Sequence, residues 1–291
     1  MIPSRRWPGF TRWFAARAES RMRRIFCRVM IAGLDDVSAA ARLAPTLWVA
    51  NHTSWWDPLV AIVLGVRAGL DVHAMMAAEN LERLPFFGLV GAFGVRRGDR
   101  RDGAAATRYA ASLLDRPRRA VWIFPQGESR PAFEPLQFHG GATSIHAVAS
   151  GAVIVPVGLR YVLRDDPRPE LWIALGTPRT GLPRGTQGTA TLTQDVAACL
   201  LRIDTALAES ATADFVALLP TAPEVEGWTT RLLAGFARWI VRLRGRRLEA
   251  AVGGDPQRAI GPADLAGGEH PQPRPQQREV GSPAVDVQPG A

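Results

Sequence analysis

Two side chains able to share a proton stand five residues apart in the stretch NHTSWWDP: His52 and Asp57. A histidine oriented by a carboxylate is a general base, because the acid fixes the imidazole tautomer and stabilises the imidazolium formed when a hydroxyl gives up its proton. On a continuous helix, residues five apart point about 140° away from each other, so these two meet only if the intervening residues turn. Asp57-Pro58 supplies that boundary, since aspartate caps helix N-termini and proline fits the first helical position. The pair also has a plainer reading, a satisfied buried histidine followed by a cap residue.

Three further stretches keep company with it. GAFGVRRGDR at 91–100 ends in an arginine-rich loop, FPQGESRP at 124–131 follows a β-prone run, and AVIVPVGLR at 152–160 is an apolar strand with an interior proline. Arg97 and Arg130 suit a phosphate, which guanidinium binds bidentately; each is equally read as a solvated surface charge. In order and spacing the four blocks resemble the glycerolipid acyltransferase superfamily over residues 40–210. His52 and Asp57 match its H-x4-D block, and Gly91 to Arg97 match its glycine-to-arginine block. Phe124, Pro125 and Gly127 match F-P-E-G, and Val155, Pro156 and Val157 match the apolar-Pro-apolar strand.

The resemblance implies a reaction in which His52 deprotonates an acceptor hydroxyl that attacks the thioester of an acyl-CoA or acyl-carrier protein. Asp57 would support the base, and Arg97, Gln126, Gly127 and Arg130 would hold the acceptor. No covalent acyl-enzyme, cofactor or metal is implied. The acceptor expected is a lysolipid, foremost 1-acylglycerol-3-phosphate, giving phosphatidate. Two positions depart from the pattern: Gln126 replaces the family's glutamate, and Ser129 stands where an arginine is usual, with Arg130 one place later. Both fall where an acceptor is recognised, which keeps open a phosphate-free acceptor such as a glycolipid, a glycosylated terpenoid or carotenoid, or another lysolipid.

The elements that must position these residues alternate. Strand-like runs at 46–50, 71–77, 120–124, 152–160 and 171–176 are interleaved with helical patterns at 59–67, 81–90, 104–114, 142–150 and 190–209. That alternation predicts an α/β fold with a mostly parallel sheet flanked by helices, whose active-site groups sit in loops beyond strand carboxyl ends. The expected organisation is a basic amphipathic helical segment over 1–40, an acyltransferase domain over 41–215, a basic amphipathic helix over 216–250 and a disordered tail over 251–291. The tail is rich in Pro, Gly and Gln and has too little apolar surface to offset the entropy of ordering.

The formal charge of +8 is localised. Residues 1–28 carry eight arginines against Glu19, and residues 228–248 carry six with no acid, so the remainder is acidic. This argues against nucleic acid as a partner, and no base-reading or stacking module is evident. All basic residues are arginine. Trp7, Phe10, Phe14, Ile25 and Val29 at one end, and Leu232, Leu233, Phe236, Trp239, Ile240 and Leu243 at the other, recur at helical spacing opposite arginines, the composition of helices that lie in a membrane interface. Docking of either helix on the domain core is the alternative, and a non-catalytic membrane-binding protein is the reading from another class. No run approaches the roughly 20 apolar residues of a transmembrane helix. The placement expected is therefore peripheral, at the cytoplasmic face of a membrane.

The minor candidates read as structural. Cys27 and Cys199 show no metal or redox spacing, and His139 with His146 lacks the further ligands of a metal site. His73 falls inside a strand, Asp99 and Glu128 read as loop acids, and Trp55 with Trp56 suits either core packing or an acyl chain.

Overall fold

Strand β2 (Thr46–Ala50) is buried along its whole length, as befits a strand covered by helices on both faces. Its side chains still alternate: Trp48 and Ala50 join one core cluster, Leu47 and Val49 the other. The computed structural model describes residues 1–220 and, beyond them, positions 236, 239 and 242. Met1–Val225 forms one compact unit and Glu226–Ala291 a second, in which Phe236, Trp239 and Arg242 are helical. The expected tail, and all but those three positions of the expected C-terminal helix beyond residue 220, lie outside the described residues.

The first unit is an eight-stranded mixed sheet, mostly parallel. Its strands are β1 (Arg28–Ala32), β2, β3 (Asp71–Ala77), β4 (Ala92–Val95), β5 (Arg119–Ile123), β6 (Val153–Val162), β7 (Glu170–Leu175) and β8 (Val216–Leu219), in the order β4-β3-β5-β2-β6-β7-β1-β8. Among the described strands only β6 with β7 and β1 with β8 pair antiparallel. The helices are α1 (Pro8–Ile25), α2 (Leu34–Leu43), α3 (Asp57–Arg67), α4 (Ala78–Arg83), α5 (Phe86–Leu89), α6 (Arg100–Leu113), α7 (Gly141–Val148) and α8 (Gly185–Ala208). Side chains of α1, α2, α3 and α5 fill the cluster on the Trp48 face, and α6, α7 and α8 supply the cluster on the Leu47 face. Trp48 stacks on Trp122 of β5 at 4.9 Å between ring centroids.

Several expected boundaries shift for identifiable reasons. The helix expected over 81–90 is two short helices, α4 and α5, because Pro85 cannot continue the first. Residues 216–219, expected to open a helix, form β8 along β1. Residues 1–40 are not a helical appendage: α1 ends at Ile25, Phe26 is extended, and β1 enters the sheet between β7 and β8. Before α1 the chain lies along β4, where Ile2 and Gly94 exchange backbone hydrogen bonds of 2.9 and 2.8 Å and blunt that edge.

Helix α1 buries Thr11, Ala15, Ala18 and Met22, and Phe14 meets Phe86 and Phe87 at 5.7 and 6.1 Å. Glu19 accepts from Arg67 of α3 at 2.8 and 2.9 Å, and these bonds hold its carboxyl below the usual carboxylate range. Much of the apolar stripe expected to face a membrane therefore packs on the protein, while Trp7 and Trp13 stay 60% and 57% exposed.

Asn51 follows β2 and is wholly buried. Its side-chain amide donates to Leu159 O at 3.0 Å and its carbonyl accepts from Leu159 N at 2.8 Å, clamping the end of β2 to β6. Asn51→Ala leaves both groups of Leu159 unpaired, and the expected loss is about 2–3 kcal/mol in urea unfolding. A second outcome concerns His73 of β3, whose burial drives its pKa down to about 4 against an ordinary 6.5, with Asp71 opposing and Arg119 and Arg6 assisting. As pH falls from 6.5 towards 4 the unfolded chain takes up a proton that the folded one refuses, so stability declines across that window. The urea midpoint of His73→Asn should fall less over the same window than that of the parent.

Candidate active site

Carboxyl ends of parallel strands bring the expected residues to one edge of the sheet. His52 follows β2, Arg97 follows β4, and Gln126, Gly127 and Arg130 follow β5. The side chains of His52 and Asp57 meet: Nδ1 lies 2.7 Å from Asp57 Oδ2. Asp57 has no solvent exposure, whereas His52 is 20% exposed.

The turn that joins the pair differs from a simple helix cap. Asp57 is the first residue of α3, and its Oδ2 accepts backwards, from Thr53 N at 2.8 Å and Ser54 N at 2.9 Å, rather than from the helix that follows. The forward amide next in line is absent, because residue 58 is proline. Two backbone donors curl residues 52–54 around the carboxylate and bring the imidazole to it. Tyr161 of β6 donates from Oη to the other oxygen, Oδ1, at 2.6 Å. Burial first, then the charge of Asp57 and this hydrogen bond, raise the phenol well above its ordinary pKa of 10. Tyr161 is therefore a donor throughout the physiological range. No sequence motif marks it.

With Nδ1 engaged, Nε2 is the nitrogen left for chemistry, and His52 lines a cavity of about 570 Å³. Its walls are largely apolar, with Ile62 from α3, Val72, Met75 and Met76 from β3, and Phe87 from α5. Polar side chains line the same cavity: Asn80, Arg83, Arg97, Glu128, Ser129 and His139. Trp55 lines the same cavity and is 60% exposed, whereas Trp56 turns inward against Phe26 at 5.2 Å. The imidazole lies against Phe124, 4.6 Å between ring centroids.

The four residues expected to hold an acceptor divide into two pairs. Arg97 and Gly127 line the cavity, and Arg97 donates to Gly127 O at 3.3 Å and stands 3.7 Å from Glu128. Gly127 needs its φ of +75°, which a side chain would strain. Gln126 and Arg130 do not line the cavity. Gln126 is buried and accepts the backbone N–H of His52 at 2.6 Å, so it holds the histidine loop. Arg130 donates its backbone N–H to His52 O at 2.9 Å, while its guanidinium pairs with Glu128 at 2.5 Å and Glu134 at 3.7 Å. Their physical role is to lock the main chain on both sides of the base. Asp99 caps α6, accepting from Arg101 N and Asp102 N, and Glu128, expected as a bland loop acid, bridges Arg97 and Arg130. Among the described residues no three His, Cys, Asp or Glu side chains gather as a metal site requires.

The base of a base–acid dyad thus opens onto a largely apolar cavity. Residues 28–160 match the acyltransferase family. Within it, the chain is similar to a lyso-ornithine lipid O-acyltransferase of Pseudomonas aeruginosa, 32% identical over 130 residues, which is 43% of this chain and 46% of that protein. The match thus spans about half the length of that relative.

The geometry fixes the expected order of losses. His52→Ala removes the base, and transfer should fall about 10²–10⁴-fold; Asp57→Asn should fall into a similar range while leaving the cavity intact. Gln126→Ala frees the His52 backbone and should cost roughly tenfold in turnover, with little change in acceptor KM. An acceptor-binding role would instead raise KM.

Proposed function

We propose that this protein is a lysolipid O-acyltransferase that moves a fatty acyl group from acyl-CoA or acyl-carrier protein to a lipid hydroxyl. The observation that carries this reading is the His52–Asp57 pair at the polar mouth of an apolar cavity. A general base alone fits many reactions; a base beside a hydrocarbon-lined chamber fits one in which a long chain lies next to the reacting carbonyl.

In this account Nε2 of His52 takes the proton of the acceptor hydroxyl as its oxygen attacks the thioester carbonyl. The tetrahedral adduct then expels the thiolate, which recovers that proton from the imidazolium. The products are the acylated lipid and a free thiol, and the enzyme returns unchanged. Asp57 holds the tautomer and stabilises the imidazolium. Exposed Trp7, Trp13 and Trp55 support contact with a membrane surface, and among the described residues no helix is long and apolar enough to cross one. Peripheral placement at the cytoplasmic face belongs to the same proposal.

For the acceptor, the reading best supported is an amphoteric, phosphate-free lysolipid whose head bears both an amine and a carboxylate. Arg97 and Glu128 stand together at the mouth, 3.7 Å apart, and Arg130 is already paired with two glutamates. The acids that accompany Arg97 and Arg130 offset the field a phosphate dianion would need, and they offer a partner to an amine. The relative named for a lyso-ornithine lipid supports the same direction. The second reading, 1-acylglycerol-3-phosphate, rests on the four-block resemblance and on Arg83, which lines the cavity with Arg97.

An acceptor panel decides between them. Purified protein given a labelled acyl thioester should acylate lyso-ornithine lipid with a kcat/KM at least tenfold above that for 1-acylglycerol-3-phosphate. The reverse preference selects the second reading, and turnover with neither, nor with any lysolipid of a total extract, overturns the proposal. Glu128→Gln should narrow the gap by favouring the phosphate.

A further inference from the structure

Asp57 is a wholly buried carboxylate behind the base, and hydrogen bonds reach it from two directions. Three come from its own loop: His52 Nδ1, Thr53 N and Ser54 N, all to Oδ2. The fourth comes from across the sheet, where Tyr161 donates to Oδ1 at 2.6 Å, 104 residues away in the chain. Without it Oδ1 would be a buried anionic oxygen with no donor, a costly arrangement in a site closed to water.

The tyrosine is itself held in place. It sits on β6, two residues beyond Leu159, which is clamped to β2 by Asn51, and its ring packs on Phe26 at 5.9 Å. Phe26 in turn meets Trp56 at 5.2 Å, and Arg21 of α1 lies 5.8 Å over the Trp56 ring. A rigid donor on a neighbouring strand therefore fixes the second oxygen of a carboxylate whose first oxygen aims the base. The carboxylate plane, and with it the direction of the imidazole, is pinned from both sides.

We infer that Tyr161 is a positioning residue of the dyad, its hydroxyl orienting Asp57 and restraining how tightly the His52–Asp57 pair holds a proton. The inference rests on the acyl-transfer reading for its kinetic consequence but not for its spectroscopic one. A hydroxyl that donates to Asp57 draws charge away from Oδ2. Removing it makes Asp57 a stronger acceptor toward His52 and toward a proton of its own, and both changes keep the proton on the pair to higher pH. The other titratable groups around the dyad are Arg97, Glu128 and His139, which line the same cavity, and Arg21 above Trp56. None of them bonds to Asp57; the Tyr161 hydroxyl also meets the Ser54 side chain, and the Asp57→Asn background separates that contact from the one to Asp57.

The test is Tyr161→Phe in the full chain, a change that deletes the hydroxyl and keeps the ring against Phe26. Its kcat should fall roughly tenfold with acceptor and donor KM unchanged, and the acid limb of its pH–activity profile should move to higher pH. In an Asp57→Asn background the same substitution should cost almost nothing further, since the partner is already altered. Independently of any substrate, the downfield imidazole proton of His52 should shift in the NMR spectrum of Tyr161→Phe and exchange faster with water. Wild-type kcat and pH profile together with an unmoved His52 resonance would overturn the inference. So would a full additional loss in the Asp57→Asn background. If the parent protein acylates no lipid, the proposed function fails, yet the His52 resonance still decides the role of Tyr161. Should Tyr161→Phe unfold, Phe26→Leu, which loosens the ring without deleting the hydroxyl, should move the resonance in the same direction by a smaller amount; an unmoved resonance there counts against the inference.

Discussion

A carboxylate deprived of water has to be surrounded by donors, and the architecture around Asp57 meets that demand. Its two oxygens take four hydrogen bonds, from an imidazole, two backbone amides and a phenol. Each donor arrives on a different constraint. The amides require residues 52–54 to curl before α3, the imidazole requires β2 to end at Asn51, and the phenol requires β6 to lie beside β2 in register. The central strands of the sheet are thus the frame on which one buried charge is compensated, and the same compensation aims the base into the cavity. Gln126 and Arg130 extend this frame by binding the backbone of His52 on its two sides.

Much of this was legible in the sequence because it is local. β2 and β3 coincide with the apolar runs at 46–50 and 71–77, and the His52–Asp57 contact follows from a strand that ends, a turn and a proline. What the sequence concealed depends on partners far along the chain. β1 read as a continuation of the helical stripe, since Val29 keeps the spacing of Phe14 and Ile25, but its strand identity comes from β7, about 140 residues later. β8 likewise exists through its pairing with β1. The break at Pro85 was available from the residue itself and lost to the apolar periodicity around it.

The site shows the same division. Residue types marked Gln126 and Arg130 as polar groups near the chemistry, but side-chain direction assigned their roles: one faces a backbone amide and the other faces glutamates, and the cavity is left to Arg97 and Gly127. Glu128, read as a bland acid, balances both arginines. Tyr161 carried no signal at all, because a lone tyrosine at the end of a strand becomes meaningful only when the neighbouring strand places a carboxylate opposite it. Helix α1 illustrates a related limit. Composition identified an amphipathic helix with arginine on one side, and packing against α3 and α5 then consumed most of its apolar face, leaving Trp7 and Trp13 outward.

The central claim is that a hydroxyl, activated by His52, attacks the acyl thioester directly. Quenched-flow measurement of thiol release, with enzyme in stoichiometric amount and acceptor lipid either present or withheld, tests this most directly. The account predicts one thiol per acylated lipid when acceptor is present, and no release above slow hydrolysis when it is withheld. A stoichiometric burst of thiol in the absence of acceptor, with the acyl group retained on the protein, would contradict it.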